Sequence, residues 1–199
     1  PWGTYLTCEE NFNNYFSSSD KNFKSTDELH RYGIRTREIG LNWAKADSRF
    51  DLSKEVNEPN KVGYVVEIDP LNPNSTPKKH TALGRFKHEN AELVISKDGK
   101  IIVYMGDDER GEYLYKYVSN ESMNEVKDKG TLLSNGNLYV AKFNDNFTGE
   151  WLLLDTQTTG LSSKAEVCIF TRLAASKVGA TTMDRPEWIA SNPKKNEVC

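Results

Sequence analysis

The stretch Leu93-Val94-Ile95-Ser96-Lys97-Asp98-Gly99-Lys100-Ile101-Ile102-Val103-Tyr104 decides the fold. Two β-rich apolar runs flank an Asp-Gly turn, and that pattern predicts a hairpin. Outward from it, Gly84-Arg85-Phe86-Lys87-His88-Glu89 precedes the first run, and Met105-Gly106-Asp107-Asp108-Glu109-Arg110-Gly111 ends the second. Antiparallel strands would bring Glu89 and the acidic triplet to the same end of one sheet. Carboxylates gathered in that way repel one another unless cations neutralise them. The stretch therefore sets a metal site against a plainer alternative, an acidic and solvated hairpin end.

Composition excludes several classes. The 199 residues are 37% hydrophobic and 28% charged, which is ordinary for a soluble globular chain. A net charge of −3 argues against nucleic acid as the main partner, because phosphate backbones demand a basic face. No run approaches the ~20 apolar residues of a membrane-spanning helix. Strand-like sequence at both ends (Trp2 to Leu6, and Glu197-Val198-Cys199) suggests an excised piece, 1–199, of one domain incomplete at both ends. The cysteines Cys8, Cys168 and Cys199 are odd in number and widely spaced, so they define neither a disulfide framework nor a zinc motif.

Along the chain, Trp2 to Thr7 reads as a strand running into Cys8-Glu9-Glu10-Asn11-Phe12. Residues 13–40 read as a long polar excursion with a short helix near Asp27–Tyr32, and Arg37–Arg49 carries a weak helical pattern around Trp43. Asp51–Lys61 reads as a charged loop. Strands are expected at Gly63–Pro70, Lys79–Phe86, Glu112–Val118, Asn137–Phe143 and Gly149–Leu154. Ser162–Val178 reads as one helix, capped by Ser162 or Ser163 with Glu166 as partner and stopped by Gly179. Its expected inner face is Ala165, Ile169, Leu173 and Ser176 or Val178. Cys168 sits beside that stripe and reads as packing.

The chain also echoes itself. Trp2–Phe12 is a β run ending in Cys-Glu-Glu-Asn, and Lys100–Arg110 is a β run ending in Gly-Asp-Asp-Glu. Each is followed by two further strands. Repeated antiparallel sets with acidic ends at the same position suggest β-propeller blades, so the expected class is mainly β: part of a propeller with loop insertions and one helix. Equivalent strand ends in a propeller face one central channel, which would gather both acidic clusters.

Taken in order, Thr7-Cys8-Glu9-Glu10-Asn11-Phe12, Gly63–Pro70, Gly84–Glu89, Val103–Arg110 with Glu112–Val118, and Asp184-Arg185-Pro186-Glu187-Trp188 resemble the PhoX family of bacterial alkaline phosphatases. The resemblance implies a six-bladed propeller with an embedded calcium and iron centre. It implies hydrolysis of small phosphate esters, and export through the twin-arginine route to the periplasm or beyond. It also implies roles for individual residues. Cys8 would ligate iron, and Glu89 and Asp108 would be further metal ligands. Arg185 would hold the substrate phosphate and Glu187 would bind metal, with Glu9, Glu10 and Asp107 ranked behind them. A monomer is expected.

Elementary chemistry fits these roles. Calcium takes oxygen ligands, and a thiolate suits a transition metal. Arg185 can bind phosphate through two parallel bonds, which lysine cannot do. Pro186 would stiffen an extended segment holding Arg185 and Glu187 two residues apart. Read singly, each feature has a plainer explanation. Asp107-Asp108-Glu109 would be a solvated turn, Glu89 a solvated strand end, Cys8 a core thiol, and Arg185–Glu187 a surface ion pair. The family resemblance reverses that weighting, because the same positions recur together in it. Two rival functions remain: a calcium-binding interaction module without catalysis, and a related propeller phosphodiesterase or lactonase.

Overall fold

The computed structural model describes residues 2–195 and 197–199. It divides into two compact units, Asn11–Gly63 and a larger one formed by Pro1–Glu10 with Tyr64–Cys199.

The smaller unit takes in the polar excursion expected at 13–40 and the charged loop expected at Asp51–Lys61, yet it has a core of its own. Phe12, Phe16, Leu29, Tyr32, Ile34, Phe50 and Leu52 are all buried. The apolar residues are dispersed among Asn, Ser and Lys, so no periodic run announces them. Two short helices, α1 (Asp27–Arg31) and α2 (Trp43–Ala46), lie within it. Thr26 caps α1 by accepting from the Leu29 N–H at 3.3 Å. Asp51 ties two segments together: one carboxylate oxygen accepts from Ser19 N (3.1 Å), Ser53 N (3.1 Å) and Ser53 Oγ (2.7 Å). Burial pushes this carboxyl upward, but the serine hydrogen bonds outweigh it and hold it well below the usual range.

The larger unit is mainly β. A first sheet joins β1 (Tyr5–Cys8), β2 (Val65–Ile68) and β3 (Lys78–Lys79) in that order, antiparallel, with Cys8 opposite Val65. Next come β4 (Glu92–Ile95), β5 (Lys100–Gly106), β6 (Arg110–Glu112), β7 (Leu114–Ser122), β8 (Gly136–Phe143) and β9 (Gly149–Leu153). Five of these form an antiparallel sheet in the order β4-β5-β7-β8-β9. The small strand β6 pairs instead with β10 (Met183–Asp184). Apart from the skip over β6, both larger sheets pair strands in chain order, and neither closes on itself among the described residues.

The hairpin forms as the sequence predicts. Glu92 lies opposite Tyr104 and Ile95 opposite Ile101. Gly99 takes a φ of +81°, the left-handed region the turn needs. Along β5, Ile101, Val103 and Met105 are fully buried, and the residues between them are only half-buried. That alternation places the core on one face of the sheet. Tyr115, Tyr117, Leu138 and Val140 complete that face, and Val167, Ala174 and Ala175 pack against it.

Two expected elements differ. Lys79–Phe86 is not a strand. After β3 the chain makes a single 3₁₀ turn at Thr81–Leu83 and bends at Gly84, whose φ is +86°. A Cβ at Gly84 would lie 3.0 Å from both Leu138 and Thr171, so the bend packs too tightly for a side chain. The expected single helix over 162–178 is also broken. Behind α3 (Thr156–Thr159), the chain forms α4 (Lys164–Ile169) and α5 (Thr171–Lys177), separated at Phe170. Ser163 and Glu166 do form the expected N-terminal cap. The break has a local cause: Thr171 Oγ1 turns back to the carbonyls of Val167 and Cys168, and Arg85 donates to the carbonyl of Ile169. The inner face is accordingly Val167, Cys168, Thr171, Arg172, Ala174 and Ala175 rather than the expected stripe. Cys168 is buried packing, as read.

Candidate active site and metal centre

Three chain segments deliver acids to one place. β1 ends at Cys8, and the Glu9 N–H bonds to the Tyr64 carbonyl at 3.0 Å, carrying the strand geometry on to Glu10. The segment before β4 ends at Glu89. The turn after β5 presents Asp108, whose backbone N–H bonds to the Lys87 carbonyl at 3.0 Å. One carboxylate oxygen from each of Glu10, Glu89 and Asp108 lies within 4.8 Å of the others. The sheet end proposed from the hairpin pattern thus gathers Glu89 and Asp108, and Glu10 joins them from the other sheet.

A fourth segment follows β10. Arg185 donates from Nε to Asp108 Oδ1 and from Nη2 to Asp108 Oδ2, both at 2.8 Å. The same Nη2 lies 2.9 Å from Glu187. Arg185 is not extended: its φ of +57° is left-handed, a conformation that costs an L-residue energy and that turns this side chain back toward Asp108.

The electrostatics are those of an acid cluster short of positive charge. Burial pushes the Glu89 carboxyl up, and Glu10, Asp108 and Glu187 push it further, against the opposing pull of Arg185. Burial also raises the Cys8 thiol to about 11, with Glu89 and Glu10 adding to the effect. Multivalent cations would reverse both shifts. The converging carboxylate oxygens of Glu10, Glu89 and Asp108 suit a hard cation, whereas Cys8 lies outside that group, half-buried against the hydrophobic core and within reach of its charge.

Of the other expected ligands, Cys8 and Glu187 border the converging group without joining it, and Glu9 and Asp107 are engaged elsewhere. Glu9 faces away, accepting from Lys79 Nζ at 2.7 Å and from the Tyr64 N–H at 3.1 Å. Asp107 is fully buried and held by Arg172, Nε to Oδ2 at 2.7 Å and Nη2 to Oδ1 at 2.6 Å. Glu109 pairs with Lys87 at 2.6 Å. His88, beside Glu89, is fully buried and stacked on Phe86, and burial lowers it to about 3, so it stays neutral.

Several residues that shape the site escape the sequence reading. Gly106 precedes the acidic turn, and a Cβ there would lie 2.2 Å from the Pro186 carbonyl oxygen and 2.5 Å from that of Glu187. Only glycine lets the Arg185 loop cross β5 this closely. Asn90 pins the same loop, donating to the Ile189 carbonyl at 2.7 Å and accepting its N–H at 3.1 Å. A glycine inside a strand next to acids is a sequence signal for close backbone approach. Asn90 carries no comparable signal.

Comparison with known proteins identifies the family. The model of the alkaline phosphatase PhoX family matches residues 1–198. The solved structure described as Pseudomonas fluorescens PhoX in complex with vanadate, a transition state analogue, is 49% identical with a TM-score of 0.93. The similarity covers 100% of this chain and 37% of that one, so the chain spans little more than a third of that protein's length. No curated protein matched the sequence. By its family match over nearly every residue, and by that structural likeness, the chain belongs to the PhoX alkaline phosphatase family.

Proposed function

We propose that this chain carries the metal-binding and phosphate-binding part of an alkaline phosphatase that hydrolyses small phosphate monoesters. The observation that carries the reading is the convergence of Glu10, Glu89 and Asp108 within 4.8 Å, with the Arg185 guanidinium on Asp108. Calcium would be held by Glu10, Glu89, Asp108 and Glu187, and iron by Cys8 with the neighbouring carboxylates. When bound, such ions supply neutralisation of the transferring phosphoryl group and activation of a nucleophile near neutral pH.

The protein's own residues do the positioning. Arg185 presents a planar fork that already grips a carboxylate through two bonds, and the same fork matches two phosphate oxygens. Glu187 braces that guanidinium from its other side. The Asn90 clamp and the Gly106 crossing hold the loop bearing both residues against the acid cluster. Vanadate bound to the Pseudomonas relative supports the same phosphoryl chemistry here. Glu9 and Asp107 act behind the cluster rather than in it.

Family membership supports the wider reading: blades of a six-bladed propeller completed by further chain, and export to the periplasm as a monomer. The two sheets share one pairing scheme and bring their acidic strand ends together, as blades around a channel would. Among the described residues no helix is long and apolar enough to cross a membrane. The test is hydrolysis of an aromatic phosphate monoester by the full-length protein. Turnover should vanish on calcium chelation and return with calcium. Full activity in Glu89→Ala or Arg185→Ala would sink the assignment.

A further inference from the structure

We infer that Arg172 is a positioning residue for the acid cluster: by clamping Asp107 it fixes the spacing between Glu89 and Asp108. The inference rests on the phosphatase reading above and extends it to a buried residue that touches neither metal nor substrate.

Arg172 lies on α5, behind the sheet, and both it and Asp107 are almost wholly inaccessible. Its fork takes both oxygens of Asp107, at 2.7 and 2.6 Å. Asp107 Oδ1 also accepts the backbone N–H of Lys87 at 3.2 Å. Lys87 in turn accepts from the Asp108 N–H, and His88 pairs with Asp107 across an antiparallel bridge. One carboxylate therefore joins the helix to both backbone segments of the cluster. Lys87 is two residues before Glu89, and Asp107 is the residue before Asp108. A second acid, Glu112, sits 3.7 Å from Arg172 Nε and adds to the charge that holds the guanidinium in place.

Stability alone is a poor explanation for this pair. Burying two charges costs so much desolvation that apolar replacements are often neutral or better. What a rigid, two-bond fork does provide is a fixed distance. Outer partners that orient metal-binding groups typically govern affinity by about 10- to 100-fold. The same logic explains why α5 must start afresh at Thr171: Thr171 Oγ1 accepts the Arg85 N–H at 3.0 Å, and the next residue reaches Asp107.

The experiment uses the full-length protein and two variants. Arg172→Lys keeps the charge but loses the fork, and Asp107→Asn keeps the shape but weakens the grip. Calcium alone is titrated calorimetrically, well below each variant's melting temperature, with kcat and KM for the ester measured in parallel. Both variants should bind calcium about tenfold or more weakly while folded, with a matching loss in kcat. Asp107→Asn carries the test if Arg172→Lys fails to fold. Folded variants that bind calcium as tightly as the wild type, whatever their melting temperatures, would overturn the inference. A wild-type protein that binds no calcium and hydrolyses no ester would instead remove the phosphatase reading itself.

Discussion

Arg185 and Asp108, far apart in sequence, meet side by side through two 2.8 Å hydrogen bonds. The two ends of this pair differ in character. The Asp108 side chain is 5% exposed and the Arg185 side chain 51% exposed. An anchored acid thus faces a guanidinium that can still reach solvent, or a phosphate arriving from it.

That asymmetry separates stability from activity. Arg185→Ala strips a half-exposed guanidinium from a nearly buried carboxylate and should cost about 1–3 kcal/mol of stability. It should cost about 10²- to 10³-fold in kcat/KM, because a donor aimed at developing charge is lost. Arg185→Lys should recover little, since an ammonium cannot reproduce the fork. Denaturant unfolding and ester kinetics on the same samples check both halves.

Gly106→Ala tests the loop crossing. The new Cβ would meet the Pro186 and Glu187 carbonyls at 2.2 and 2.5 Å, both backbone atoms that cannot rotate away. Displacement of the loop should cost about 1–3 kcal/mol by denaturant unfolding. Activity should fall as well, because Arg185 moves with that backbone. Unchanged kinetics would show that the crossing does not position Arg185.

Acid sensitivity should begin at two buried histidines, the neutral His88 of the site and His80. Burial lowers the pKa of His80 even though its Nε2–H donates to Glu67 at 2.8 Å. Its buried Nδ1 has no partner among the described residues, so a second proton there would find no acceptor. A histidine with a depressed folded pKa takes up its proton only on unfolding. Its contribution is therefore present above the unfolded value of about 6.5 and is lost as pH falls below it, by at most ~1.4 kcal/mol per pH unit. Glu67 is pushed up by burial, but hydrogen bonds from Thr4, Trp2 and His80 outweigh this and lower it. Its contribution is lost at still lower pH. Urea titrations between pH 7 and 5 should show the slope, and His80→Gln should reduce it to the share that His88 contributes.

Cys8→Ser tests the mixed-metal reading. A hydroxyl is a far weaker ligand than a thiolate for a transition metal, while carboxylate ligation of calcium is untouched. Elemental analysis of the full-length variant should show iron reduced and calcium retained. Wild-type iron content in Cys8→Ser would remove the thiol from the site.

Much of this site is legible along the chain because its signals are local. Asp98-Gly99 between two apolar runs fixes the hairpin, and the hairpin alone brings Glu89 and Asp108 to one end. Asp107 shows the limit. Its neighbour Asp108 turns toward the cluster, yet Asp107 is claimed by Arg172, and nothing near either aspartate in sequence announces a partner on a distant helix. Glu9 and Glu10 pose the same problem just past the end of β1: Glu9 turns to Lys79 while Glu10 turns to the cluster. The helix break at Phe170 is likewise imposed by Thr171 and Arg85, and so has no signature in the helical pattern itself. The unit at Asn11–Gly63 hides its aromatic core among polar residues for want of any period.

In the proposed metal centre, Cys8, Glu10, Glu89, Asp108 and Glu187 would hold ions beside Arg185. Anomalous scattering from crystals of the full-length protein, recorded across the iron edge and at long wavelength for calcium, tests it most directly. Calcium signals should lie on the carboxylates of Glu89 and Asp108, and an iron signal at Cys8. Clear density for these side chains with no anomalous peak among them, in protein that still hydrolyses the ester, would contradict it.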